Sequence, residues 1–258
     1  MNKPERQLVP RFRPRSRLAL VGFGLGVGAV LGLALAGPGS QWGLWHFGTG
    51  FRIMRWSAYA GVAACAVSLL AMLRARPGGS KRGIVLGLVG FLFGLSAVLI
   101  PWRWQRLAED VPRLHDVSTD TENPPEFRAV LPLREGAPNP PEYAGEEAAA
   151  LQREEYPGVR PLAIALPPEN VFPLLLREAR GMGWRIVAAD PVEGRIEATD
   201  QTPWFGFEDD VVVRVSAHQA GARVDVRSKS RVGASDVGTN ARRVQEYLDR
   251  LRAALNLE

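Results

Sequence analysis

The sequence predicts an integral membrane protein in two parts. Three N-terminal transmembrane α-helices precede a C-terminal α+β domain, a four-stranded antiparallel meander flanked by two helices and preceded by a Pro-rich wrapped segment. Three observations predict this. Three long apolar stretches fall within the first hundred or so residues. Residues 1–101 carry 12 basic residues and one acid, a net +11, whereas residues 102–258 carry 20 basic and 26 acidic residues, a net −6. Beyond residue 184 the apolar pattern has period two and then steps by threes and fours. The chain-wide charge of +5 therefore describes neither part, and it reports topology rather than a nucleic-acid partner.

Leu18–Ala36 and Ile84–Trp102 hold no charge, nor does Trp56–Leu73 within a middle span placed at about 54–73. Each approaches the ~20 residues needed to cross ~30 Å of hydrocarbon. One such run could be a buried core helix; three in succession between arginine clusters read as spans. Lys3, Arg6, Arg11, Arg13, Arg15 and Arg17 precede the first span, and Arg74, Arg76, Lys81 and Arg82 separate the second from the third. Only Arg52 and Arg55 lie between the first two. The positive-inside bias places residues 1–17 in the cytoplasm. An odd number of spans then carries a juxtamembrane connector (103–112) and the domain (113–258) to the periplasmic side. Arg103, Arg106 and Arg113 weaken this asymmetry without reversing it. Trp42, Trp45, Trp56, Trp102 and Trp104 sit near span ends, as interfacial aromatic belts do. Ala34-Leu35-Ala36 before Gly37 resembles a signal-peptidase site, but the run is long and glycine-rich for a signal core, so an uncleaved anchor is expected. The domain's side is the same either way.

Gly22/Gly26, Gly24/Gly28, Gly28/Gly32, Gly90/Gly94 and Ala60/Ala64 lie four residues apart, a spacing that lets helices approach closely in lipid. Packing of the spans on one another is expected ahead of dimerisation. Gly24–Ala29 fits G-x-G-x-x-A, but inside a span with no preceding strand it is no dinucleotide loop. The absence of intramembrane Asp, Glu or Lys argues against a transporter.

Residues 112–173 hold 12 of the 20 prolines and predict extended, irregular chain with a short helix around Gly145–Glu155. Phe127, Val130, Leu131, Leu133, Leu162, Ile164 and Leu166 supply apolar anchors, which makes this a wrapped part of the domain and not a tether. Asn170 is expected to cap a helix reaching Arg180, with Pro173 in its first turn, Phe172, Leu175, Leu176 and Ala179 on one face, and Gly181 and Gly183 at its end. Strands follow at Trp184–Ala189, Arg195–Thr199, Asp209–His218 and Ala222–Val232. Val211, Val213, Val215 and Ala217 alternate with Asp210, Arg214, Ser216 and His218; Val224, Val226 and Val232 alternate with Arg223, Asp225, Arg227, Lys229 and Arg231. That pattern predicts one dry and one wet face. Gln219-Ala220-Gly221 is the hairpin connection. Val237, Ala241, Val244, Leu248, Leu251 and Leu255 mark a final amphipathic helix capped by Ser235 or Asp236, with Glu246 four residues before Arg250.

Several long strings carry a resemblance. They are His115–Pro125 (HDVSTDTENPP), Gly183-Trp184, Trp204–Asp210 (WFGFEDD) and Asp225–Asp236 (DVRSKSRVGASD), continued by Gly238, Asn240 and Arg243. Residues 113–255 resemble the family known as domain of unknown function 1499. The resemblance implies a bacterial envelope protein, with relatives in photosynthetic organelles. It carries over no catalytic residues and does not cover the spans.

Two constellations are candidate sites. Arg227, Ser228, Ser230, Arg231, Ser235, Asp236, Asn240 and Arg243 cluster at the last strand-to-helix junction, where helix N–H groups and guanidinium groups suit a phosphate or carboxylate. Ser228 and Ser230 share the strand face of Val224 and Val226, beneath the helices. The competing reading is structural: Asp236 caps the helix and pairs with an arginine, while the serines satisfy local backbone. Trp204, Phe205 and Phe207, with Asp209 and Asp210, form a turn suited to a partner or the bilayer, or one that folds over its own core. As strand neighbours, Asp209 and Asp210 point to opposite faces and make no catalytic dyad. His46, His115 and His218 are far apart and Cys65 lies in a span, so no metal set is expected. Neither catalytic motifs nor cofactor-binding motifs occur. The expected function is a binding or assembly module anchored in the bacterial inner membrane, recognising an anionic ligand or lipid headgroup. The alternatives are an envelope hydrolase or lyase using Asp210, Asp236 or His218, and a subunit whose spans act within a larger membrane complex. Expected partners are the bilayer, envelope proteins or an anionic ligand, and not nucleic acid.

Overall fold

The computed structural model describes residues 16–75, 83–219 and 221–256. The chain divides into two units, Met1–Gln105 and Arg106–Glu258. The basic residues Lys3, Arg6, Arg11, Arg13, Arg15, Arg76, Lys81 and Arg82, and Ala220 of the hairpin, lie outside the described residues.

The first unit is helical: α1 (Arg17–Ala36), the single turn α2 (Pro38–Gln41), α3 (Phe47–Ala75) and α4, which starts at Ile84 and ends at Asp110 in the second unit. Three segments, Arg17–Gln41, Phe47–Ala75 and Ile84–Asp110, are long and apolar enough to cross a membrane. The Ser16 hydroxyl accepts from the Ala19 N–H at 3.3 Å and caps α1. At the other end the Trp45 indole N–H donates to the Ala36 carbonyl at 3.1 Å. The helices meet through small residues. A Cβ on Gly26 would stand 2.7 Å from the Gly90 carbonyl oxygen, and one on Gly61 2.6 Å from that of Gly94. Gly24 and Gly28 meet nothing within 4 Å, so only part of the glycine pattern serves this packing. The third apolar helix does not stop at Trp102: α4 runs past Pro101 and on to Asp110.

In the second unit the strands are β1 (Asp116–Ser118), β2 (Leu162–Ile164), β3 (Arg185–Asp190), β4 (Arg195–Gln201), β5 (Glu208–His218) and β6 (Gly221–Ser230). The helices are α5 (Glu146–Glu155), α6 (Pro168–Gly181) and α7 (Thr239–Leu255). The meander β3–β6 is antiparallel throughout, as the alternation predicts. The sheet nevertheless has six strands, not four. β2 pairs with the first half of β6 (Leu162↔Val224) and β1 with the second (Val117↔Ser228). Both come from the Pro-rich segment and cover what would otherwise be a bare sheet edge. At three residues each they are too short to show a period.

Two helix starts differ from expectation. Pro168 occupies the first turn of α6, where its missing N–H costs nothing, so Asn170 lies inside the helix and Pro173 further in. Positive φ at Val237 (54°) and Gly238 (72°) holds the chain out of α7 until Thr239. The Asp236 carboxylate still closes that end, accepting from the N–H groups of Gly238 and Asn240 at 2.7 Å each.

α6 and α7 bury one face of the sheet. Ile196, Val211, Val213, Val224 and Val226 pack there against Leu175, Val244, Leu248 and Leu251. The opposite face, expected to be wet, is buried as well: Glu197, Asp210, Val212, Asp225, Arg227 and Lys229 are all inaccessible. The Pro-rich segment covers it. Phe127 and Val130 pack on Val212, and the Glu197 carboxylate accepts the Arg128 and Val130 N–H groups at 2.9–3.0 Å. Period two identifies the faces of a strand, not what covers them.

Candidate functional site

Where β5 begins, β6 ends and α7 starts, the alternation of the strands sorts the polar residues onto two faces. Ser228 and Ser230 point beneath α7; Arg227, Lys229 and Arg231 point away. The eight junction residues therefore form two clusters, not one.

On the helix side, the Ser228 hydroxyl donates to Asn240 Oδ1 at 2.6 Å, and Asn240 Nδ2 donates to Ser230 Oγ at 2.9 Å. Arg243 donates to both Asn240 Oδ1 and Ser228 Oγ, at 2.6 and 3.0 Å. Its remaining donors reach Asp209 at 2.7 Å and Asp200 at 2.8 Å. Burial alone would lower the Arg243 pKa, but the two carboxylates outweigh it and hold the guanidinium firmly charged. Asp236 makes no ion pair with any described residue and spends its carboxylate on the α7 cap. Burial pushes its pKa up, against the pull of those two N–H groups. The Ser235 hydroxyl accepts from the Val237 N–H at 3.3 Å. His115 hands its carbonyl to Ser230 N and Asn240 Nδ2. Burial and then the neighbouring Lys229 charge lower its imidazole pKa.

The other cluster is ionic. Asp116 in β1 takes a bidentate pair from Arg227, both bonds at 2.8 Å, and a third bond from Lys229 at 3.1 Å. Lys229 also donates to the Glu142 carbonyl, and Arg227 to those of Pro125 and Pro141. Burial lowers the Lys229 pKa despite Asp116, and the charges of Arg227 and Arg134 lower it further. Asp210 in β5 is gripped by Arg134 at 2.7 Å and by Arg231 at 2.8 and 2.9 Å, and accepts from the Thr199 hydroxyl at 2.8 Å. Arg231 also pairs with Glu208. The Phe127 ring lies 4.7 Å from the Arg227 guanidinium and 5.5 Å from that of Arg134. Tyr143 flanks Arg227, and burial first, then Asp116, pushes its phenol up to about 12.

Asp209 and Asp210 thus part as expected, to Arg243 on one face and to Arg134 and Arg231 on the other. In the aromatic turn, Phe205 is buried and stacked on Phe207, with centroids 5.3 Å apart and planes 7° from parallel. Trp204 is half-buried and tilted against Phe205 at 5.5 Å. The turn is tied by the Phe207 N–H on Thr202 Oγ1 at 2.9 Å.

Sequence reasoning missed Asp116, Arg134, Thr199, Asp200 and Lys229 as members of these clusters. It also missed Gln152, whose side-chain amide clasps the Ser118 backbone at 2.7 and 2.9 Å. One signal was present: Arg223, Asp225, Arg227, Lys229 and Arg231 alternate with apolar or small residues along one strand, opposite Asp210 and Arg214 on the next. Opposite charges facing each other across strands are the unit of a buried ionic layer. Arg134 and Asp116 lie in irregular chain or short strand, where no period could assign them a face.

Chemically, both clusters are closed. The guanidinium groups spend their donors on carboxylates, carbonyls and the hydroxyls of Ser228 and Thr199; among the described residues the buried Nε atoms of Arg134 and Arg195 have no hydrogen-bond partner. Asp116, with the Ala144 N–H, and Asp210 each accept four hydrogen bonds, which fills the lone pairs a general base would need. Among the described residues, no three His, Cys, Asp or Glu side chains converge as metal ligands.

The strings that build these clusters are those on which the resemblance rests. Asp116 stands in the first, Asp209 and Asp210 in the turn, and Arg227, Lys229 and Arg231 in the long β6 string. No curated protein matches the chain. The model of the family described as protein of unknown function (DUF1499) matches residues 116–251, from the buried aspartate of β1 into the last helix, and the chain belongs to that family.

Proposed function

We propose that the protein is a three-span component of the bacterial inner membrane that holds its C-terminal domain in the periplasm as a non-enzymatic binding or assembly module. The positive-inside bias of the sequence supports the orientation. Only five residues separate the end of α4 from β1, which supports a domain held on a short leash rather than a diffusing one. The closure of both polar clusters is the observation that carries the non-enzymatic part. The carboxylates at the junction are bound to cations or backbone N–H groups, so the domain's polar chemistry is spent on its own rigidity. Alkaline phosphatase fused after Glu258 is expected to be active, and green fluorescent protein fused there dark. The reverse pair of results would reject the orientation.

A second reading, recognition of an anionic ligand or headgroup at the junction, is favoured by the charge count of the ionic layer. Arg134, Arg227, Lys229 and Arg231 pair with two buried carboxylates, Asp116 and Asp210, while the buried Glu197 and Asp225 of the same face pair with Arg195, Arg214 and Arg223. The half-exposed Glu208 supplies a third acid. An anion arriving there would take the place of Glu208 on Arg231. Calorimetric titration of the detergent-solubilised chain with inorganic phosphate tests it. This reading requires a binding heat that Arg231→Gln abolishes, and a flat titration removes it.

A further inference from the structure

We propose that the cleft between α3 and α4 binds one anionic glycerophospholipid, with an acyl chain in the cleft and its phosphate on Arg55. This rests on the membrane reading above. The two helices touch at Gly61 and Gly94, where an added Cβ would stand 2.6 Å from the opposing carbonyl oxygen. From that contact toward the start of α3 they part around a space of about 480 Å³. That lies within the ~300–1,000 Å³ of small-molecule sites. Met54, Ala58 and Val62, four residues apart on one face of α3, form one apolar wall; Val98 and Trp102 of α4 form the other. Most of the lining is apolar; besides Arg55, the side chains there that carry a polar atom are Tyr59, Trp102 and Gln105.

At the mouth stands Arg55, exposed and without a hydrogen bond or ion pair to any described residue. Its neighbour one turn earlier, Arg52, donates to Thr49 Oγ1 at 3.0 Å. The uncharged run of the span begins at the next residue, Trp56, so the Arg55 guanidinium stands at the level where headgroup phosphates lie. Tyr59 packs edge-on to Trp56 at 5.7 Å and adds the aromatic collar of such an interface. A guanidinium matches a phosphate bidentately. No carboxylate lines the cleft. A zwitterionic headgroup would bring an ammonium group with no acid there to receive it, so the charge pattern selects a net-anionic lipid.

The test uses the full chain in dodecyl maltoside, equilibrated with equal amounts of phosphatidylglycerol and phosphatidylcholine of one acyl composition, with retained lipid counted by native mass spectrometry. Phosphatidylglycerol is expected to be retained about fivefold over phosphatidylcholine, the factor supplied by ~1 kcal/mol for one arginine at a charged surface. Arg55→Gln should bring the ratio to about one and Arg55→Lys should keep part of it, by the loss or retention of that same charge. Val98→Trp, which fills the cleft, should lower retention of both lipids; if that variant does not fold, Ala58→Leu serves the same purpose. Equal retention by the unaltered chain, or a preference that survives Arg55→Gln, overturns the proposal. A lipid-free dimer would also overturn it by assigning the cleft to a second copy. A chain that stays dispersed without detergent would instead reject the membrane reading itself.

Discussion

Asp116 holds two cations at once, and the three side chains are at most 2% exposed. Removing the carboxylate would leave Arg227 and Lys229 in a dry layer with only carbonyl oxygens for company. Asp116→Ala is therefore expected to cost about 3–5 kcal/mol, the range for breaking one partner out of a buried pair. Thermal or denaturant melting followed by near-ultraviolet circular dichroism measures it. Asp249→Ala, on an exposed pair with Arg252 at 2.7 Å, should change stability by less than about 0.5 kcal/mol. Retention of full stability in Asp116→Ala would mean that the layer is hydrated.

The pH response has an assignable sign at the same scale. Burial and Lys229 lower the folded His115 pKa below its ordinary 6.5, so the fold favours the neutral imidazole. That contribution is present above the ordinary value and is lost as pH falls through the lowered one. Asp236 acts oppositely: its raised pKa favours the protonated form, a contribution present below the ordinary 3.8 and lost as pH rises through the raised value. Asp116 also faces His115 and opposes the lowering. His115→Gln should therefore lose less melting temperature than the unaltered chain between pH 7 and pH 5. An identical slope for the two would remove His115 from the account of acid sensitivity.

At the scale of elements, the wrapped segment depends on Glu197, whose carboxylate is the acceptor for the Arg128 and Val130 N–H groups. Glu197→Ala orphans both donors, at about 1–3 kcal/mol for each that stays buried. Faster proteolysis within residues 126–145 is the expected readout, with cleavage elsewhere unchanged. In the helical unit, Gly26→Leu should destabilise by about 1–3 kcal/mol or more, because its side chain would enter the Gly90 backbone. Gly24→Leu, which meets nothing within 4 Å, should be tolerated in the same melt. Equal effects at the two positions would show that the glycines do not discriminate a packed face from an open one.

Legibility in the sequence also varies by element. The three apolar helices have uncharged runs, and the β3–β6 meander and the last helix have periods, long enough to be read directly. β1 and β2 do not: three residues in proline-rich chain show no alternation, and their pairing with β6 is set by the edge they cover. Asn170 has the right chemistry for a cap, but Pro168 two residues earlier fits the first turn better. The junction residues were legible as a set and not as two clusters, because grouping them by sequence proximity ignored the faces that period two assigns. Asp116 and Arg134 come from 76 or more residues away along the chain from the β-strand side chains they bind. No local pattern joins residues at such a separation.

At the scale of the molecule, the charge asymmetry, the three apolar helices and the closed polar layers converge on one account. On the function proposed above, an arginine-flanked anchor would hold the acidic domain outside the cytoplasm as a binding or assembly module. The orientation is its central claim. Val192 is 95% exposed in the β3–β4 turn and touches neither polar cluster. With Cys65, the single native cysteine, replaced by alanine, Val192→Cys gives one reactive thiol on the domain. A membrane-impermeant maleimide added to intact spheroplasts is predicted to label that thiol fully, without further gain on lysis. Labelling only after lysis would place the domain in the cytoplasm and contradict the account.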